Sequence, residues 1–475
     1  MIDEFDLLID QCSGAFRQNH AWKVGRDLAF GALNCMGKHT LTGMITASGH
    51  QFIDWSSAYR LFSRHQIDVS QCFDVACKGV LEELTSQNDI VAHMDDTILK
   101  KTGLRIPGTA WRRDPLGPPF QTNFIWGQRF LQISMALPDQ PACSQSRAIP
   151  VDFYHCPTAK RPRKRDDDQC WQTYREQQKN LKLSKKGADR LRELRTRLDI
   201  NGANEKELIV SVDGSYTNES VLKHLPDRVT LIGRIRKDTK LYFPAVNQPG
   251  VGRKKIYGEQ LPTPEEIRQL SDYPWQEVNA WLAGSMHKFN VKVIKSLKWR
   301  SAGPDSTLQL IVIRPLGYRL TKSSKRIYKD PAYLICTNNE LDIQKLLQAY
   351  LWRWEIEVNF RDEKTLMGCG QAQVRHPQSV ELVPAFITAI YALLHLAAHK
   401  SLKESDQPML PRPKWYHKKE PQRHTTRDLI NNIKAQAWVR SLGINFSGFV
   451  TSENKSLTLK KYSNPCTSAM FYLRN

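Results

Sequence analysis

The hydrophobic pattern changes period along the chain, and the changes mark out its elements. Through residues 1–85 apolar side chains recur at helical spacing, most clearly over 21–36 and 53–65, with breaks near Gly37 and Gly49. From Asn88 the pattern becomes strand-like. Residues 90–94, 123–137 and 148–156 are apolar runs, and a charged helical stretch follows over 168–198. Residues 207–212 read as a buried strand and 229–235 as another. Between 237 and 329 Gly, Pro and aromatics are mixed with short runs at 291–297 and 308–313. A strand at 331–337 and a helix through Leu346 lead into a charged helix over 350–364. Residues 383–399 are apolar but only 17 long and hold two His, which predicts a buried core helix rather than a membrane span.

Two of these strands run into aspartate. Ile90-Val-Ala-His-Met94 leads to Asp95-Asp96-Thr97, and Glu207-Leu-Ile-Val-Ser-Val212 leads to Asp213-Gly-Ser-Tyr216. A carboxylate at the carboxyl end of a buried strand is where an α/β sheet commonly presents its chemistry. Aspartate also caps helices and opens turns, so neither position is persuasive alone. At the first strand both Asp95 and Asp96 are candidates, with Asp95 preferred. The triplet Asp166-Asp-Asp168 follows the basic run from Lys160 to Arg165 and lacks a buried strand, so it reads as a solvated loop.

The stretch 350–364, Tyr-Leu-Trp-Arg-Trp-Glu-Ile-Glu-Val-Asn-Phe-Arg-Asp-Glu-Lys, has no Gly or Pro and predicts one helix. At about 100° per residue Tyr350, Arg353, Glu357 and Lys364 fall within roughly a 60° arc. One face then carries a phenol, a guanidinium, a carboxylate and an ammonium. The plain alternative is an exposed amphipathic helix with charges paired at i,i+4. The spacing Tyr-x2-Arg-x3-Glu-x6-Lys, with Trp354, Phe360 and Gly368 around it, resembles the signature of the DDE transposases of bacterial insertion sequences. The run Trp55-Ser-Ser-x-Tyr-Arg-Leu-Phe-Ser-Arg64 is similar to one in the same proteins.

That resemblance covers roughly residues 40–400. It implies an α/β fold with an RNase H-like core, a mixed sheet flanked by helices, over 86–236 and 331–400. A β-rich insertion domain at 237–330 would split the core. A helical N-terminal DNA-binding domain at 1–85 and a basic linker with a helical C-terminal region at 401–475 would flank it. Residues 1–85 are alternatively a cap that packs on the next domain. The C-terminal part either pairs two protomers or only touches DNA.

The resemblance also implies cut-and-paste transposition of double-stranded DNA, at the element's ends and a target, by a homodimer in the bacterial cytoplasm. Asp95 (or Asp96), Asp213 and Glu357 would be catalytic and would bind two Mg²⁺ ions, with Mn²⁺ as a substitute. Tyr350, Arg353, Lys364 and Trp354 would contact DNA. Trp352 or Trp354 could stack on an unpaired base or simply pack. Two ions about 3.5–4 Å apart activate an oxygen nucleophile and stabilise the leaving oxygen, which asks for hard carboxylate ligands. Without metal such carboxylates repel and their proton affinities rise. A metal-dependent nuclease without strand transfer, and an idle DNA-binding derivative, are the alternatives.

Charge agrees with a polyanionic partner. Lys and Arg number 69 against 48 Asp and Glu, a net charge of +21 with a pI near 9.5. No basic amphipathic anchor or signal-like apolar start stands out, which predicts a soluble protein without a membrane partner. The ten cysteines form no Cys-x2-Cys or Cys/His pattern, arguing for reduced thiols and against structural zinc. The Gly250–Lys255 loop is basic, but without a P-loop Lys-Ser/Thr it implies no nucleotide site.

Overall fold

The computed structural model describes residues 1–85, 89–114, 117, 123–140, 143–246, 254–319, 323–404, 410 and 423–443. Residues 250–253 of the basic loop and most of the linker at 408–427 lie outside the described residues.

Five helices open the chain: α1 (Ile2–Gln11), α2 (Asn19–Asn34), α3 (Leu41–Ala47), α4 (Ser56–Ser63) and α5 (Val69–Glu83). The side chains of Thr40 and Asp68 accept first-turn N–H groups and so start α3 and α5. Then come β1 (Ile90–Lys100), β2 (Ala110–Arg113), β3 (Phe124–Pro138) and β4 (Ser146–His155). They are followed by α6 (Asp168–Asn180), α7 (Leu183–Leu198), β5 (Leu208–Val212), α8 (Glu219–Leu222) and β6 (Val229–Arg234). Asp167 of the acidic triplet caps α6, and Asp166 accepts the Arg163 N–H at 2.7 Å, as a solvated turn would.

The next stretch holds a ribbon of β7 (Tyr242–Pro244) and β8 (Tyr257–Gln260), then α9 (Pro264–Gln269), β9 (Gln276–Leu282), β10 (Ser285–Leu297) and β11 (Leu308–Ile313). A second ribbon pairs β12 (Gly317–Tyr318) with β13 (Ile327–Tyr328). The last elements are β14 (Ala332–Cys336), α10 (Ile343–Trp352), α11 (Trp354–Thr365), α12 (Ser379–Glu404) and α13 (Thr426–Ser441).

One ten-stranded sheet organises these elements, in the order β2-β3-β1-β5-β6-β14-β11-β10-β9 with β4 also on β3. β3 is antiparallel to β1 and β4, whereas β1, β5 and β6 run parallel. This mixed sheet with helices against it fits the RNase H-like expectation. The stretch 237–330, expected as a separate β-rich insertion, does not close on itself. Its strands β9, β10 and β11 join the core sheet through β14, whose outer edge would otherwise present unpaired N–H and C=O groups.

Residues 1–85 are likewise built into the main body. A continuous core joins Phe5 and Leu28 of the opening helices to Ile90 and Leu208 of the sheet and to Leu393 of α12. The Ile2 N–H donates to Gln436 at 2.8 Å, and the Lys434 ammonium donates to the Cys35 carbonyl at 3.2 Å, tying α13 to the start of the chain. α4 buries Ala58, Leu61 and Phe62 but leaves Tyr59, Arg60 and Arg64 exposed. The Tyr59 hydroxyl hydrogen-bonds the Thr42 hydroxyl at 3.0 Å, and Arg60 and Arg64 stay at the surface. α12 is apolar and long enough to cross a membrane, yet 89% of its apolar window is buried, as expected of a core helix.

Gly31 tests whether the opening helices are an independent unit. A Cβ there would sit 2.2 Å from the Met44 carbonyl oxygen. Gly31→Ala should destabilise the protein by about 1–3 kcal/mol, lowering a single thermal transition shared by helices and sheet. Two transitions, of which only one moves, would mean that residues 1–85 fold alone.

Candidate active site

The parallel pairing of β1 with β5 places the first two acids. Met94 lies opposite Val212, where β5 ends, so Asp95 and Asp213 are the next residues along two adjacent strands. The sequence expectation that each aspartate ends its strand holds for Asp213 but not for Asp95. β1 continues to Lys100 because β3 pairs with it along that whole length. Asp95 is therefore a mid-strand residue whose neighbouring strand has stopped, which opens space beside it.

Strand alternation then separates Asp95 from Asp96. Val91, His93 and Asp95 point to one face, where Val91 packs with Ile209, Leu346 and Leu347 beneath α10. Ala92, Met94 and Asp96 point to the other face and the main core. Asp96 accepts the Tyr216 hydroxyl at 2.8 Å and lies 3.2 Å from Nε of Arg129. Its own N–H donates to Asp95 Oδ1 at 2.8 Å.

The glutamate arrives from α11. The expected single helix over 350–364 is broken at Arg353, where tight turns (Arg353 N–H to Tyr350 O, 3.2 Å; Ile356 N–H to Arg353 O, 3.1 Å) separate α10 from α11. Propensity alone does not report this break, since Arg353 keeps helical dihedrals. Its guanidinium donates to Glu357 at 3.0 Å and to Asp95 at 3.5 Å, so one cation bridges two of the three predicted acids. Asp213 instead accepts the Ser215 N–H at 2.8 Å and the Ser215 hydroxyl at 3.1 Å.

The predicted DNA contacts divide. Tyr350 is half-buried, 5.9 Å from the Arg353 guanidinium. Lys364 lies two turns beyond Glu357, its ammonium 5.9 Å from the Phe360 ring, outside the Arg353 bridge. The Trp352 indole donates to the Ser144 carbonyl at 2.8 Å, a packing role, whereas Trp354 is 59% exposed. An open cleft of about 850 Å³ lies beside Tyr350, Arg353 and Trp354. Its opposite wall is the tip of the β9–β10 hairpin at Ala283 and Gly284. The Gln348 amide fastens that hairpin to α10, accepting the Trp281 N–H at 2.7 Å and donating to the Trp281 carbonyl at 3.2 Å.

A residue the sequence reading passed over underlies the site. His93 shares a face with Asp95, and its Nδ1 lies 3.2 Å from the Ser211 hydroxyl, which donates to the Ala349 carbonyl at 2.8 Å. Because that hydroxyl proton is already committed, His93 Nδ1–H is the donor to Ser211. Burial, and then the Arg353 charge, push His93 down to about 3, so it is neutral. This link ties β1, β5 and α10 directly beneath the acids. Alternation from Asp95 back to His93 was the available signal.

Burial, and next the charge of Asp213, push the Asp95 carboxyl up to about 7. The two acids thus form an undercompensated pair of hard oxygen donors, which suits a divalent cation. Among the described residues no three His, Cys, Asp or Glu side chains converge closely enough to hold an ion together. Glu357 stands off because Arg353 occupies the bridging position.

Comparison with known families places the chain in a superfamily. The chain matches the family model of the DDE superfamily endonucleases over residues 13–290, more than half its length, and belongs to that superfamily. This is a class of DNA-cleaving enzymes that use divalent metals. The matched stretch includes Asp95 and Asp213 and ends before Glu357. No curated protein sequence matches the chain.

The raised Asp95 has a definite sign in stability. An unfolded Asp ionises near pH 4 and this one near pH 7, so the native state binds the extra proton between those values. Stability should therefore fall as pH rises from about 4 to 7 and stay penalised above it. Asp95→Asn removes the penalty. In denaturant titrations without divalent metal, the variant should gain about 1–3 kcal/mol over wild type at pH 8 and lose that advantage at pH 4. Equal stability at pH 8 would show that the buried Asp95 carboxyl carries no ionisation penalty in the folded state.

Proposed function

We propose that this protein is a transposase of a bacterial insertion sequence, in the branch marked by the Tyr-Arg-Glu-Lys signature. It would bind the terminal inverted repeats of its element as a homodimer, cut with Mg²⁺ and join the freed ends to target DNA. The observation that carries the reading is the Arg353 bridge: one guanidinium hydrogen-bonds both Glu357 of the signature helix and Asp95, which lies beside Asp213. This favours Asp95 over Asp96, whose carboxylate is occupied on the opposite face by Tyr216 and Arg129.

In this reading Asp95, Asp213 and Glu357 hold divalent ions, which supply a cation for the attacking and leaving oxygens of the phosphodiester. Every other role falls to the chain itself. Burial on the sheet face keeps Asp95 fixed, and the His93–Ser211–Ala349 link holds the strands and α10 together under it. Arg353 would reach a phosphate only by giving up the hydrogen bonds it makes to Asp95 and Glu357. Trp354, exposed at the cleft rim, offers an aromatic face to a base. A metal-dependent endonuclease without strand transfer would use the same acids.

The test is cleavage of a plasmid carrying the element's two ends, with Mg²⁺, by wild type and Glu357→Gln. Wild type should release the end-bounded fragment and join it to a target. The variant should bind the ends with unchanged affinity and cut at least about a hundredfold more slowly, since losing a group made for the transition state costs that order of rate. Cutting without joining would leave only the endonuclease. A variant as active as wild type would remove Glu357 from the site.

A further inference from the structure

On the sheet face away from Asp95, two arginines share a pocket that the cleavage chemistry does not use. Arg112 of β2 lies opposite Ile125 of β3, and Arg129 lies four residues further along β3 on the same face. Between them the paired positions are Ala110 and Gly127, so no large side chain separates the two guanidinium groups. Both line a cavity of about 300 Å³ with Cys156, Thr158, Tyr174 and Lys182.

The charges there do not balance. Arg112 is 5% exposed, and its Nε and Nη2 are buried without a hydrogen-bond partner among the described residues. Arg129 has Asp96, 3.2 Å away, but that carboxylate is also engaged by Tyr216. Lys182 adds an ammonium at the exposed rim, donating to the Ser220 hydroxyl at 3.1 Å and close enough to Glu219 to act on its charge. Among the described residues the two buried guanidinium groups thus share the single carboxylate of Asp96. Burial, and then Arg129, push Arg112 down to about 10, the direction expected of a guanidinium lacking its counterion.

Buried guanidinium N–H groups are normally all paired, and their fork geometry matches tetrahedral oxyanions. We propose that this pocket binds a phosphoryl group, through Arg112 and Arg129 with Lys182 at the mouth. Its source is either a DNA backbone phosphate, which would give the protein a DNA contact on the side of the sheet opposite its acids, or a free phosphate.

The experiment is calorimetric titration of the full chain with inorganic phosphate, free of DNA and divalent metal and at constant ionic strength. It is therefore independent of the cleavage reading. Wild type should bind phosphate saturably. Arg112→Met, which keeps the apolar stem and removes the donors, should weaken binding at least about tenfold, as for loss of a charged hydrogen bond. Lys182→Met, at an exposed position where folding is not at stake, should weaken it severalfold. Duplex-oligonucleotide binding across a salt series then separates the sources. A backbone phosphate requires that phosphate compete with DNA and that Arg112→Met reduce the slope of log K against log salt by about one. An unchanged slope with phosphate binding retained by wild type assigns a free anion. The proposal falls if wild type shows no saturable phosphate binding, or if both variants bind phosphate as wild type does.

Discussion

Everything at the candidate site depends on one register, the parallel pairing that sets Met94 opposite Val212. Side chains in a strand alternate with period two, so a slip of one residue would turn Asp95 into the core and bring Asp96 to the open face. The register is secured on both faces. Ala92, Met94, Val210 and Val212 are fully buried on one side, and Val91 with Ile209 on the other. The His93–Ser211 contact adds a polar lock that only this alignment satisfies. The fold therefore fixes which of two adjacent acids faces α11, and it does so through apolar burial at some distance from the chemistry.

The second constraint is electrostatic. Acids gathered in a half-buried place repel, and the strongly basic composition of the chain does nothing locally to help them. Arg353 supplies the local remedy, holding Asp95 and Glu357 through one guanidinium. It behaves as a resident counterion, at the cost of keeping Glu357 apart from the aspartates. The break between α10 and α11 falls at this residue, so the helix junction and the charge junction coincide.

Much of this was legible in the sequence because it is local. Strand 207–212 and the core helix near 383–399 follow from periodicity, and each lies where the pattern put it. The Tyr350–Lys364 face was readable as spacing. The break at Arg353 was not, because no Gly or Pro marks it and it follows from tertiary pairing. The full length of β1 was hidden by the polar Asp95-Asp96-Thr97 stretch, which is strand only because β3 runs alongside. Nothing in residues 237–330 announced that β9–β11 would add to the core sheet. That depends on the free edge of β14, a property of the assembled fold.

The hairpin clamp made by Gln348 has a mechanical meaning. Since β9 and β10 belong to the same hydrogen-bonded sheet as β1 and β5, and Gln348 fastens their tip to α10, the two jaws of the cleft are parts of one stiff frame. The gap between them is a fixed gauge, set before any substrate arrives. Whatever enters the cleft meets walls already ordered by folding, so the entropy a loose jaw would lose on binding does not arise there.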